Sequence, residues 1–328
     1  MADVLDKWQQ ELLRYQADAQ LQVRRIWGIG IADISKLIGQ FPFRGFDIGR
    51  YPLLQRRVDL VLQEITRKVE RTVTNGMKKA WNLSDNKNVQ TLEVVIGGRK
   101  MSTIARKKYF EPQLQARNEF IARTENGLRL SDRIWQYVQG FRQEMEADML
   151  TAIQTGMPAK KARKLMQRHL LHPEGQQSPG QGVYKSPLKN TFRLTRTEIN
   201  MSYQMADFHR WEAQPFVVGI KVSLSNNHPE KDQCDVLAGN YPKNFIFRGW
   251  HPQCLCHAAP ILITREEMDR YQEAIFEEAS WDGKSVNTVS EPPEGFEKYL
   301  KDNRDSINGA KNPPYWVQDN SQYMANLK

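Results

Sequence analysis

Val218-Gly219-Ile220-Lys221-Val222-Ser223-Leu224 places Val218, Ile220, Val222 and Leu224 at every second position, the period of a strand with one face buried. The residues before it follow another period. Leu188 to Glu212 reads as a helix, and helix followed by strand makes 188–270 a compact α+β domain.

Just downstream the chain runs Asn227-His228-Pro229-Glu230-Lys231-Asp232-Gln233-Cys234 and, 16 residues later, His251-Pro252-Gln253-Cys254-Leu255-Cys256-His257. All three cysteines fall within these 23 positions, and an odd number in a reducing compartment argues against a disulfide framework. Thiolate and imidazole are the ligands zinc prefers, and a tetrahedral structural site takes four of them. Cys234, Cys254, Cys256 and one histidine complete such a set, with His251 the first choice and His228 and His257 the alternates. Cys-x-Cys brings two thiolates together, although paired Cys-x-x-Cys knuckles are absent. The competing reading is three buried cysteines packed as small hydrophobes beside hydrogen-bonded histidines. A catalytic zinc would also need an open ligand position and a base such as Glu230, and no His-Glu-x-x-His signature occurs.

Upstream, residues 172–187 (His172-Pro173-Glu174-Gly175-Gln176-Gln177-Ser178-Pro179-Gly180-Gln181-Gly182 and onward) read as a linker. Residues 101–171 read as a helical domain, largely helical from Ile104, in which Ser131 is the expected N-cap before the stripe Ile134, Val138, Phe141, Met145 and Leu150. Gly156-Met157-Pro158 should interrupt it, Pro158 opening a further helix to Leu171. Residues 1–100 read as a helical N-terminal extension. One helix is expected from Leu5 to Ile26, broken at Gly28, Gly30 and Phe41-Pro42-Phe43-Arg44-Gly45. A second is expected from Pro52 to Val73, ending near Asn75-Gly76, before turn-rich residues 83–103 with a β-like run at Leu92 to Ile96. The segment 271–328 reads as an acidic, loosely ordered tail.

The 328 residues carry a formal charge of +9, unevenly spread. After residue 264 there are 8 Lys+Arg against 13 Asp+Glu, so the first 264 residues hold 39 against 25, which is +14 for the body and −5 for the tail. A basic body suits a polyanion, nucleic acid first. On the helix after Pro158, Lys160, Lys161, Arg163, Lys164 and Arg168 have no acid between them and are the candidate phosphate-binding residues, a solvated helix face being the ordinary alternative. With 40% apolar and 26% charged residues the composition is that of a folded chain. No window approaches the ~18 apolar residues of a membrane span, and no signal-peptide core follows Met1, so the chain is expected in the cytoplasm where it is made. Gly28-x-Gly30 lacks a third glycine and no phosphate-binding Gly-x-x-x-x-Gly-Lys-Ser/Thr occurs, which argues against nucleotide chemistry.

Four blocks in order resemble the phage Mu F-like head morphogenesis family, the minor head or minor capsid proteins of tailed bacteriophages. They are Leu130-Ser131-Asp132-Arg133-Ile134-Trp135; Thr155-Gly156-Met157-Pro158; Arg193-Leu194-Thr195-Arg196-Thr197-Glu198-Ile199-Asn200; and Cys234-Asp235-Val236-Leu237-Ala238-Gly239 leading to His251-Pro252-Gln253-Cys254-Leu255-Cys256. The resemblance spans about residues 125 to 262 and departs at Lys231, where family members often carry the first cysteine of a Cys-x-x-Cys pair. It implies a non-enzymatic virion protein of the head interior or portal vertex, assembled in the host cytoplasm. Its partners would be the portal and capsid proteins and double-stranded DNA during packaging or ejection, with no membrane and no small-molecule substrate. The expected fold is α+β, a mainly helical N-terminal region followed by a small α+β C-terminal domain with a Cys/His cluster. The competing readings are a metal-dependent nuclease or toxin-like effector using His251, His228 and Glu230, and a free nucleic-acid-binding protein.

Overall fold

The structure, a computed structural model, describes residues 2–40, 51–95, 103, 107, 110–171, 186–225, 231–276 and 284–324. Among the described residues six helices come first: α1 (Ala2–Gly39), α2 (Pro52–Val95), α3 (Leu114–Ala122), α4 (Leu130–Gln154), α5 (Ala159–Leu171) and α6 (Pro187–Glu212). Strand β1 (Val217–Ser223), helix α7 (Gln233–Leu237) and strands β2 (Gly239–Tyr241) and β3 (His257–Leu262) follow. Helices α8 (Arg265–Phe276), α9 (Glu294–Asp302), α10 (Arg304–Gly309) and α11 (Tyr315–Asp319) and a 3-10 turn at Ser321–Tyr323 complete the order. The fold is therefore α+β and mainly helical, with a small antiparallel sheet in the C-terminal part.

The chain forms two compact units, one of residues 13–76 and 121–199, the other of 1–12, 77–120 and 200–328. These differ from the consecutive segments 1–100, 101–171 and 188–270 expected from composition. The reason is length: α1, α2 and α6 have 38, 44 and 26 residues, and each contributes to both units. The linker expected at 172–187 lies outside the described residues up to 185.

The first unit is helical. On α1, Val23, Trp27, Ile31, Ile34 and Ile38 are buried; on α2, Leu54, Val58, Leu62, Ile65, Val69 and Val73. Both sets recur every three or four residues, so each helix buries one stripe. Gly28 and Gly30 do not end α1, nor Gly76 α2, contrary to expectation. A Cβ on Gly30 would stand 2.4 Å from Cδ1 of Ile65, and one on Gly76 2.6 Å from Cδ1 of Ile199. These glycines are spaces occupied by isoleucines, not helix stops. The expected break at Phe41 to Gly45 lies outside the described residues.

Further along, the expected helix from Ile104 is interrupted at Asn126 (φ 51°) and Gly127 (φ 78°), where Glu125 and Leu128 exchange backbone hydrogen bonds of 2.9 and 3.1 Å. Two consecutive positive φ values inside that bridge make a type I′ turn, for which Asn-Gly is the preferred pair. Ser131 is not the N-cap expected of it. It lies inside the first turn of α4, and Asp132 Oδ2 instead accepts the Arg129 N–H at 2.9 Å. Gly156 (φ 60°) follows the end of α4, and Pro158 directly precedes α5 as expected.

The second unit holds the sheet, in the order β2-β1-β3 and antiparallel throughout. Val218, Ile220 and Val222 are buried and Lys221 is exposed, the alternation read from the sequence. Gly219 is also buried, because Val289 lies over it where a side chain would point. Leu92, placed in a β-like run on sequence grounds, is instead on α2, which continues to Val95 and buries Val89 and Leu92 in this core. The loosely ordered tail expected from 271 is corrected over 284–324. Phe296, Leu300, Ile307, Trp316 and Met324 belong to the same core, with Trp316 edge-on to Trp250 at 5.7 Å. Asn320, fully buried, accepts from Ile246 N–H (2.7 Å) and donates to Ile246 C=O (2.9 Å). A polar segment orders when its few large apolar residues all reach one core and its amides find backbone partners.

Candidate metal centre

The cluster is built on two short segments of the second unit. Asp232 caps α7: its Oδ1 accepts the Cys234 N–H at 2.6 Å, while Asp235 Oδ2 accepts the Asp232 N–H at 2.8 Å. This reciprocal capping box gives a five-residue helix enough definition to aim Cys234 inward. The other segment is the turn His251-Pro252-Gln253-Cys254, closed by a 3.0 Å bond from Cys254 N–H to His251 C=O. Pro252 holds its second position and Gln253, at φ 67°, its third, as in a type II turn. A non-glycine residue in this conformation costs about 1–3 kcal/mol, and such residues concentrate at functional sites. Here the turn carries His251 and Cys254 to the same side.

Cys234 Sγ lies 3.2 Å from His251 Nε2 and 3.8 Å from Cys254 Sγ. The ligand atoms of Cys234, His251 and Cys254 all lie within 4.8 Å of one another, so these three can hold a metal ion. Cys256, the fourth residue chosen on sequence, is buried nearby but falls outside that set. Bonds from the thiols of Cys234 and Cys256, with the Trp250 N–H and the neighbouring His251, pull the Cys254 thiol well below its ordinary range. Bonding to Cys254 and Cys256, together with burial, pushes the Cys234 thiol up. Two sulfurs and an imidazole nitrogen gathered at one point are donors that a soft or borderline cation takes.

The ring of His251 is set for the same purpose. Its Nδ1 is 3.0 Å from the Pro252 carbonyl, which can only accept, so Nδ1 carries a proton and Nε2 can offer its lone pair. That Nε2 faces both Cys234 Sγ and Asp232 Oδ2, the latter at 3.1 Å. Three electron-rich atoms meeting at one point require a proton or a cation between them.

Helix α6 supports the cluster from behind, with side chains one turn apart. Asn200 Nδ2 donates to the Cys254 carbonyl (3.2 Å), and Gln204 Nε2 is 3.5 Å from that of Cys256. These amides, and Asp232, were not among the candidates read from the sequence. The Asp232-x-x-Asp235 spacing was a legible capping signal, whereas nothing local ties Asn200 to a residue 54 positions away.

The other candidates are dispersed. His257 begins β3 opposite Ser223, and His228 and Glu230 lie outside the described residues. Lys161, Lys164 and Arg168 are exposed on α5, while the side chains of Lys160 and Arg163 lie outside the description. Arg168 pairs with Asp148 of α4, an acid that a search along α5 alone does not meet. His169 is buried between Glu144 and Asp148, each 2.9 Å from one ring nitrogen. Among the described residues no helix is long and apolar enough to cross a membrane. No protein-family model, curated protein or solved structure matches this chain.

Proposed function

We propose that this chain is a minor head protein of a tailed bacteriophage, acting in head morphogenesis at the portal vertex, with a structural zinc ion at its Cys/His cluster. The observation that carries the reading is what the residues of the resembling blocks do. In the first unit, Arg133 of the Leu130 block bonds Glu198 of the Arg-Thr-Glu block at 2.7 Å. In the second, Asn200 from the end of that same block holds the Cys254 carbonyl. The distinctive polar residues are thus spent internally, on holding the fold. That is the use expected in an assembly protein, whereas an enzyme needs such groups facing a cleft.

Zinc fits the donor set. Two Zn–S bonds of about 2.3 Å at the tetrahedral angle separate their sulfurs by about 3.8 Å, and the sulfurs of Cys234 and Cys254 are 3.8 Å apart. Cys256 is the nearest thiol to serve as fourth ligand. Bound there, the metal would tie α7 to the 251–254 turn and add its binding energy to folding. The exposed Lys161 and Lys164 suit transient contact with packaged DNA, and the long amphipathic helices suit portal or capsid proteins.

The test is co-expression with the portal and major capsid proteins of the same genome, followed by purification of procapsids. The chain should sediment with portal-bearing procapsids and be lost from them in a Cys254→Ala, Cys256→Ala double variant; elemental analysis of the purified wild type should find one zinc per chain. Nucleic-acid hydrolysis that disappears in His228→Ala and Glu230→Ala, with head entry unchanged, would replace this reading with the nuclease one.

A further inference from the structure

Helix α2 and the second half of α6 enclose a polar cluster that plays no part in the metal centre. Lys87 and Asp207 are an ion pair with 2% and 0% of their surfaces exposed. Lys87 Nζ is in hydrogen-bond contact with Asp207 Oδ2, one bond from the carboxyl carbon. The other oxygen, Oδ1, accepts from Ser84 Oγ at 2.6 Å and from Asn88 Nδ2 at 2.7 Å. Aromatic rings close the site: Nζ lies 4.6 Å from the ring centre of Tyr203 and 5.1 Å from that of Trp211, both buried. Trp211 Nε1 in turn donates to Asn88 Oδ1 at 2.5 Å and fixes that amide's orientation.

We propose that Lys87 and Asp207 form an intramolecular isopeptide bond, a covalent cross-link between α2 and α6. The starting pair is ammonium and carboxylate. Desolvation disfavours both charges, lowering the lysine's pKa and raising the aspartate's, so passage of one proton from Nζ to Oδ2 leaves a neutral amine beside a neutral carboxylic acid. The Nζ lone pair then attacks Cγ, and the negative charge gathers on Oδ1. The donors Ser84 and Asn88 already point there, as in an oxyanion hole. A second proton passes from Nζ to Oδ2, the Cγ–Oδ2 bond breaks, and one water leaves. One C–N bond is made and one C–O bond lost, with no oxidant, reductant or cofactor. Nucleophile and electrophile are held in contact from separate helices, the arrangement that gives intramolecular reactions their high effective molarity.

The test is the intact mass of the purified wild-type chain under denaturing conditions, followed by tryptic mapping. The expected mass is one water below that of the sequence, with no cleavage after Lys87 and a branched peptide joining the segments that contain Lys87 and Asp207. The full sequence mass, or a water loss mapping elsewhere such as a succinimide at Asp282-Gly283, would overturn the proposal. In Lys87→Met and in Asp207→Ala the full mass should return whether or not the variant stays folded, because the readout is covalent.

Discussion

Glu198 shows how one residue can organise a helical unit. Its carboxylate is 1% exposed and is met by Arg133 Nη1 at 2.7 Å and Arg123 Nη2 at 3.0 Å, the latter brought in by the Asn126-Gly127 turn. Burial alone raises its pKa, and the two guanidiniums outweigh burial, so the net shift is downward. A depressed folded-state pKa contributes stability that is present above the unfolded value, near 4.5, and is lost as pH falls towards the folded one. Acid unfolding followed by circular dichroism should therefore show a loss of stability below about pH 4.5 that is flatter in Glu198→Gln. That variant should also be less stable at neutral pH by about 1–3 kcal/mol, since the half-buried Arg133 loses its carboxylate partner while Arg123 keeps Glu125 at 2.8 Å. Gly30 makes the opposite point, a residue whose value lies in what it lacks. Gly30→Ala gains up to about 1 kcal/mol of helix propensity but meets Ile65 at 2.4 Å. Overpacking of about 1–3 kcal/mol should win, giving a lower melting temperature that Ile65→Ala in the same chain partly restores.

At the scale of elements, the 284–324 segment acts as a clasp on the second unit. Trp316 is fully buried against Trp250, Phe296 and Tyr299, and Gly295 passes so close to α7 that a Cβ there would lie 2.4 Å from the Val236 carbonyl. Tyr299 Oη donates to Gln233 at 2.9 Å, beside the candidate metal ligand Cys234. Trp316→Ala should cost about 3–5 kcal/mol in urea titration. Through α7 it should also weaken retention of the proposed zinc against a chelator, and a variant that melts earlier yet holds that metal as tightly as wild type would disconnect the clasp from the candidate metal centre.

For the molecule as a whole, the two compact units predict a graded response to metal removal. Chelation should speed amide hydrogen exchange first in α7, the 251–254 turn and the adjoining strands β1 and β3. The helical unit buries its own stripes on α1 and α2 and a T-shaped Trp27–Phe141 pair at 5.3 Å, so α4 should keep its protection longer. Equal and simultaneous loss in α4 and β1 would mean that the units do not open separately.

Periodicity and local chemistry were enough to determine much of this protein from sequence. The strand read from Val218 onward, found at Val217–Ser223, the helix starting near Leu188, the boundary at Gly156 to Pro158 and the grouping of Cys234 and Cys254 with His251, though not of Cys256, were legible, because each depends on residues close in sequence. Tertiary structure alone decided the rest. Whether Gly30 and Gly76 stop a helix depends on Ile65 and Ile199, and whether the acidic C-terminal segment orders depends on Trp250 and Ile246, distant residues that no local pattern announces. The same holds for Lys87 and Asp207, each an ordinary charged residue on its own helix. Burial changes their chemistry, and burial is a property of the packed chain.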